Sequence, residues 1–170
     1  MSFQAERLDP RQWLGGPVLA CIVATLMFAI PIRVAGVQLP EPVFAMVPAF
    51  AWAMIRPSIL APFALLLLGL FMDLFWGGPM GLWPLALLAV YAGVLVGRPM
   101  MMGQSRTMMW VWFGFMTLVA MTTGYCITIL DSGSAPSLVA TFWQLLPTVL
   151  LYPFAHRLIE RFEDADVRFR

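Results

Sequence analysis

Apolar residues fill long runs of this chain, and polar positions fall between the runs. A helix needs roughly 20 largely apolar residues to cross a bilayer, within a range of about 17–25. Five runs reach that length; a sixth, of 14 residues, contains Pro48 near its middle. At about 1.5 Å per residue it covers roughly 21 Å, so it is a short or tilted span, a broken helix packed against protein, or a re-entrant segment. The predicted helices occupy residues 14–32, 42–55, 57–76, 79–97, 108–130 and 136–155, followed by a frayed, solvated tail at 156–170.

Composition supports an integral membrane protein. Apolar residues make up 61% of the chain and charged residues 11%, whereas soluble domains have about 45–50% and about 25%. The 170 residues allow one polytopic domain, 1–170, with no inserted soluble domain. The formal net charge of +1 argues against nucleic acid as a partner.

The arginines set the predicted topology, because basic residues in short loops mark the cytoplasmic side. With six crossings and a cytoplasmic N-terminus, Arg33 is the only arginine predicted on the outer side of the membrane. If the short second run did not cross, Arg98 and Arg106 would move outside. We therefore predict an all-α protein with six transmembrane helices and both termini in the cytoplasm. The inner arginines are then Arg7, Arg11, Arg56, Arg98, Arg106, Arg157, Arg161, Arg168 and Arg170.

Asp73 is the ionisable residue that the pattern places inside a predicted helix. A charged group costs about 2.5–3.5 kcal/mol at a helix centre, so we expect a packed and partnered carboxylate rather than one that reaches water at the interface. Arg33, at the same end, could supply a bidentate pair. Small residues at a four-residue interval let helices approach closely. Around Asp73 and along the fourth helix these are Gly69, Gly77, Gly81, Gly93 and Gly97.

Catalytic, cofactor and metal sites are not predicted. The single histidine, His156, lies at the predicted cytoplasmic helix end and is interpreted as a helix-end cation. Cys21 and Cys126 lie in apolar runs without metal-site or disulfide spacing. No pair of carboxylates is predicted at a common buried depth.

A set of motifs across residues 37–160 carries a family resemblance. An Arg-Pro pair precedes Gly-x-x-x-Asp-x-x-x-Gly-x-x-x-Gly, and this combination is the specific part. The chain thereby resembles the rod shape-determining protein MreD family of the bacterial inner membrane. The matching positions are Leu39-Pro40, Trp52, Arg56-Pro57, the run from Gly69 through Asp73 and Gly77 to Gly81, Tyr91, and residues 147–157.

The resemblance implies a non-catalytic scaffold of the cell-wall elongation machinery. Its implied direct partner is MreC, with MreB, RodA and the penicillin-binding transpeptidase as further members of the complex. The implied fold is similar to the membrane-embedded substrate-binding subunits of vitamin-uptake transporters. The alternative function is a small-molecule-binding subunit of a transporter, for which Gln144 with Thr117 and Thr148 is the best polar set near the midplane and Pro48 the best helix break.

Overall fold

A computed structural model describes residues 14–28, 33–34, 37–38, 41–55 and 57–167, with side chains described between 14 and 160 except in the pair 33–34 and 37–38. These residues form seven helices and one short strand pair, in which Arg33 lies opposite Gln38. The elements are α1 Gly16–Phe28, β1 Arg33–Val34, β2 Val37–Gln38, α2 Met46–Ile55, α3 Leu60–Trp76, α4 Leu82–Met101, α5 Arg106–Ser132, α6 Leu138–Val149 and α7 Tyr152–Val167.

The helix ends follow local sequence signals. The hydroxyls of Ser105 and Ser137 accept an amide N–H of the first turn of α5 and α6, which satisfies a group that has no partner inside the helix. Gly77 and Gly133 end α3 and α5 in the left-handed conformation, which glycine adopts without steric cost. The helices α3, α5 and α6 therefore begin or end at residues that favour a helix end.

The last predicted helix is broken, and the part of the predicted frayed tail at 156–167 is helical. The break falls between Val149 and Tyr152, where Pro153 has no N–H to continue the helical hydrogen bonds. Beyond it α7 continues to Val167. Ala155 and Ile159 of α7 are buried, so this helix packs against the rest of the protein.

The short run forms α2, which lies at the centre of the structure. Eight of its ten residues are buried, and it packs mainly against α4 and α7, then against α3 and α5. Phe50 contacts Phe113 of α5 edge-on, with ring centroids 5.3 Å apart. Of the alternatives that the sequence left open, the structure favours a short helix packed against protein.

Contacts at its two ends fix the direction of α2. At one end Glu41 accepts a hydrogen bond from the indole of Trp76, at the end of α3. At the other end the carbonyl of Ile55 accepts from Arg98, near the end of α4. Residues 41–55 therefore connect the two ends of the α3–α4 hairpin and run antiparallel to α3.

Within the described residues, three helical stretches are long and apolar enough to cross a membrane. They are α4, α5 and the stretch Leu138–Glu160 that joins α6 to α7. The helices α1, α2 and α3 are apolar but shorter. The helical fold class is thus confirmed, and these stretches have the length and composition of membrane spans, while the count of six crossings stays a prediction.

Candidate functional site

The turn between α3 and α4 is organised by Asp73. Its side chain is 1% exposed. The carboxylate Oδ2 accepts the N–H of Gly81 at 2.6 Å, and Oδ1 accepts the N–H of Trp83 at 3.0 Å. Both donors belong to the start of α4, where amide groups have no partner within the helix.

Asp73 therefore caps α4 from another helix. The N-cap residue of α4 is Gly81, which has no side chain to perform this function. A carboxylate is suited to the position because the N-terminus of a helix carries a partial positive charge. The arrangement fixes the beginning of α4 against the last turn of α3.

Two of the predicted small residues, Gly77 and Gly81, form part of the turn between α3 and α4. Gly77 has a φ of 65° and Gly81 a φ of 96°, a backbone region in which other residues are strained. A β-carbon at Gly77 would meet no atom within 4 Å. No described helix occupies the space beside Gly77, and the turn uses its backbone conformation; an approaching helix at this position stays a prediction.

Gly69 is the residue at which α3 and α4 approach closely. A β-carbon there would lie 2.6 Å from the Cα of Pro84, a distance that forces the backbones apart. Pro84 stands in the first turn of α4, where its missing N–H needs no partner. The pair Gly69 and Pro84 thus brings the two helices together one turn below the Asp73 cap.

The glycines further along α4 accommodate side chains. A β-carbon at Gly93 would lie 3.1 Å from the sulfur of Met116 in α5, and one at Gly97 would lie 2.9 Å from Met101 of its own helix. For these glycines of α4 we predicted that the backbones of neighbouring helices approach closely. The structure instead fills the space with flexible methionine side chains, which adapt to irregular gaps.

The predicted arginine sites fall largely outside the described residues. Arg33 belongs to the short strand pair, but its side chain lies outside the described residues, as does all of Arg56. The predicted pairing of Arg33 with Asp73 therefore stays a prediction. Pro57 is exposed and lies just before α3.

A second polar cluster, around Glu41, was not predicted. Besides its contact with Trp76 at 3.0 Å, Glu41 offers its carbonyl to the amide of Gln144 in α6 at 3.2 Å. The hydroxyl of Thr148 accepts the N–H of Val43 at 3.1 Å. These bonds tie the chain before α2 to α3 and α6. The sequence had singled out Gln144 and Thr148 as polar residues of the last helix, but not Glu41 as their neighbour.

The single histidine lies within α7 and not at a helix end, so its interpretation as a helix-end cation is wrong. Its Nε2 lies 3.0 Å from Oε1 of Glu160, and Arg106 of α5 reaches the same oxygen at 3.1 Å. Exposed ion pairs of this kind contribute little, typically about 0–1 kcal/mol. Among the described residues, no three metal-ligating side chains come together.

Comparisons of the chain with protein-family models, with curated proteins and with solved structures found no match. The resemblance to the MreD family therefore rests on the quoted motifs. Within those motifs the structure gives Gly69, Asp73, Gly77 and Gly81 one shared task, which is the α3–α4 turn.

Proposed function

We propose that this chain is a non-catalytic inner-membrane scaffold of the bacterial cell-wall elongation machinery. It binds MreC and couples the peptidoglycan synthases, RodA and the penicillin-binding transpeptidase, to the MreB filament. The observation that carries the proposal is the use of polar side chains at membrane depth for internal bonds, since a scaffold requires a well-defined surface and no polar pocket.

Threonine hydroxyls illustrate this use. Each of seven donates to the carbonyl four residues earlier in the chain, a local bond common for Ser and Thr in helices. Such bonds use the only hydrogen that each hydroxyl can donate, so a solute could find these groups only as acceptors. The seven are Thr25, Thr117, Thr122, Thr123, Thr128, Thr141 and Thr148.

The polar residues predicted for a transporter's solute site, Thr117, Gln144 and Thr148, do not favour that alternative function. Thr117 donates to Phe113, Thr148 to Gln144, and the amide of Gln144 to Glu41, so the three side chains donate to carbonyls of the protein itself. The groove between α4 and α5, about 780 Å³, is lined mainly by apolar side chains such as Leu85, Phe115 and Leu118. Neither region offers the convergent polar groups of a solute site.

The proposal includes six crossings with both termini in the cytoplasm. Although α2 has only ten residues, its backbone is surrounded by protein, and short helices are tolerated at membrane depth under that condition. Its direction, antiparallel to α3, fits an alternating order of crossings.

Cysteine labelling tests this topology. In a background with the exposed Cys126 replaced by Ala, cysteines introduced at Gly36 and Ser134 are expected to react from the periplasm. Cysteines at Gly103 and Ala165 are expected to react only after the membrane is permeabilised. Periplasmic labelling at Gly103 would contradict the six crossings.

The scaffold function is tested by partner recovery and cell shape. Depletion in the native host is expected to round the cells, and affinity purification of the tagged full chain in mild detergent is expected to recover MreC. Genes for MreB and MreC next to this reading frame would support the proposal, whereas neighbouring genes for an ATPase pair would support transport. Normal shape on depletion, together with no MreC after crosslinking, overturns it.

A further inference from the structure

An apolar groove lies between the beginning of α3 and the second half of α4. It has a volume of about 440 Å³ and is lined by side chains that include Pro57, Ile59, Phe63, Tyr91 and Leu95. Ile59 and Phe63 stand on its rim, 81% and 61% exposed. The groove is therefore open at the surface of the protein.

Arg98 lies next to this groove along α4. It follows Leu95 of the groove wall by about one helical turn and is not itself part of the groove lining. Its Nη2 lies 3.5 Å from the carbonyl oxygen of Ile55, two residues before Pro57 of the opposite wall. The guanidinium group is therefore close to both chain segments that build the groove.

This guanidinium lacks an anionic partner in the described part of the chain. Its Nε is buried without a hydrogen-bond acceptor, and the ion pairs seen among the described residues involve Glu160 with Arg106 and His156. An unpaired buried donor on a charged group is costly. The sequence also places Arg56 between Ile55 and Pro57, although its side chain is outside the described residues.

We propose that this site binds an anionic phospholipid of the adjoining leaflet, with the phosphate on Arg98 and an acyl chain in the groove. Guanidinium groups bind phosphate oxygens through strong charge-assisted hydrogen bonds, and basic pockets between helices on the cytoplasmic side are typical sites for anionic head groups. The apolar groove supplies the second requirement, which a soluble phosphate cannot use. This inference does not depend on the binding of MreC.

The test measures lipid binding to the purified full chain in detergent, by native mass spectrometry and by thermal stabilisation. Phosphatidylglycerol is expected to bind and to raise the unfolding temperature, and zwitterionic phosphatidylcholine to do so at least several-fold more weakly. Inorganic phosphate alone is expected to have no effect. Equal effects of the two lipids, or full stabilisation by inorganic phosphate, would overturn the proposal.

Charge variants locate the site. Arg98→Gln is expected to weaken phosphatidylglycerol binding about tenfold or more, because it removes a charge-assisted hydrogen bond. Arg157→Gln removes the same charge from an exposed position on α7 and is expected to stay within about twofold of wild type. Equal affinities of Arg98→Gln and wild type would contradict the assignment.

A second pair of variants decides the question if Arg98→Gln fails to fold. Ile59 is exposed on the groove rim, so its replacement leaves the core intact. Ile59→Glu is expected to repel the phosphate and weaken phosphatidylglycerol binding, while the uncharged Ile59→Gln is expected to bind more tightly than the Glu variant. Equal binding by the two variants would overturn the placement of the phosphate here.

Discussion

The short helices α2 and α6 are both apolar, but one lies in the protein core and the other on its surface. Eight of ten residues of α2 are buried, whereas α6 buries only Thr148 among twelve. α2 carries Ala49, Ala51 and Ala53, which let neighbouring helices approach, while α6 presents Phe142 and Trp143 outward. Hydrophobicity alone therefore does not decide which of two short apolar helices is enclosed by the rest of the protein.

The largest difference in the free energy of unfolding is expected between variants of two phenylalanines. Phe50 of α2 is fully buried and Phe142 of α6 is 59% exposed. Phe50→Ala leaves a cavity and is expected to lower the free energy of unfolding by about 3–5 kcal/mol. Phe142→Ala is expected to change it by about 0.5 kcal/mol or less. Thermal unfolding in detergent compares the two, and equal losses would remove the distinction between core and surface helix.

A pair of glycines extends the comparison to helix contacts. Gly69→Ala pushes a methyl group into the backbone of Pro84 and is expected to cost about 1–3 kcal/mol. At Gly114 of α5 the added β-carbon would lie 3.7 Å from Val149, an ordinary contact, so Gly114→Ala is expected to be neutral or stabilising. Folded yield and unfolding temperature measure both; a neutral Gly69→Ala would show that α3 and α4 have room to separate.

Two aspartates, the buried Asp73 and the exposed Asp131, extend the comparison between core and surface. Asp73→Ala removes the cap of α4 and is expected to cost about 1–2 kcal/mol, with Asp73→Asn less damaging because its amide oxygen still accepts one N–H. Asp131→Ala, at an exposed position in the last turn of α5, is the control and is expected to be neutral. Unfolding temperature and recovery of MreC are the measurements.

The role of Arg33 is settled in the same series. If Arg33 pairs with Asp73 as the sequence predicts, the losses of Asp73→Ala and Arg33→Ala are less than additive in the double variant. Full additivity would leave the backbone amides as the partners of the carboxylate.

The smallest loss of stability is expected for Thr148, through which α6 contacts the core. Thr148→Val keeps the shape but leaves the N–H of Val43 without its acceptor, and it is expected to cost about 1 kcal/mol. Thr122→Val on the exposed face of α5 is expected to have no measurable cost. If both variants unfold at the same temperature, the bond between Thr148 and Val43 contributes nothing.

The sequence predicted the helical segments because each apolar run is bounded by residues that stop a helix. It also singled out Gly69, Asp73, Gly77 and Gly81, since their spacing stands out in an apolar region. The partner of Asp73 was missed because a carboxylate can be satisfied by amides across a turn as well as by an arginine. The central position of α2 was not predictable from its own residues, since enclosure is a property of the neighbouring helices.

The break before α7 was missed for a different reason. Pro147 lies inside α6 without ending it, while Pro153 accompanies the interruption. Proline is tolerated in membrane helices where neighbouring groups satisfy the freed carbonyls. Whether a proline interrupts a helix therefore depends on its surroundings, which the sequence does not display.

The bonds from Asp73 to Gly81 and Trp83 have a consequence for the order of folding during synthesis. They span only eight and ten residues of chain, and closing so short a loop costs little entropy. The α3–α4 hairpin can therefore close as soon as the first turn of α4 has been made. α2 is made earlier, yet its contacts with α7 require nearly the whole chain. The segment at the centre of the finished protein is thus among the first to be synthesised and the last to be enclosed.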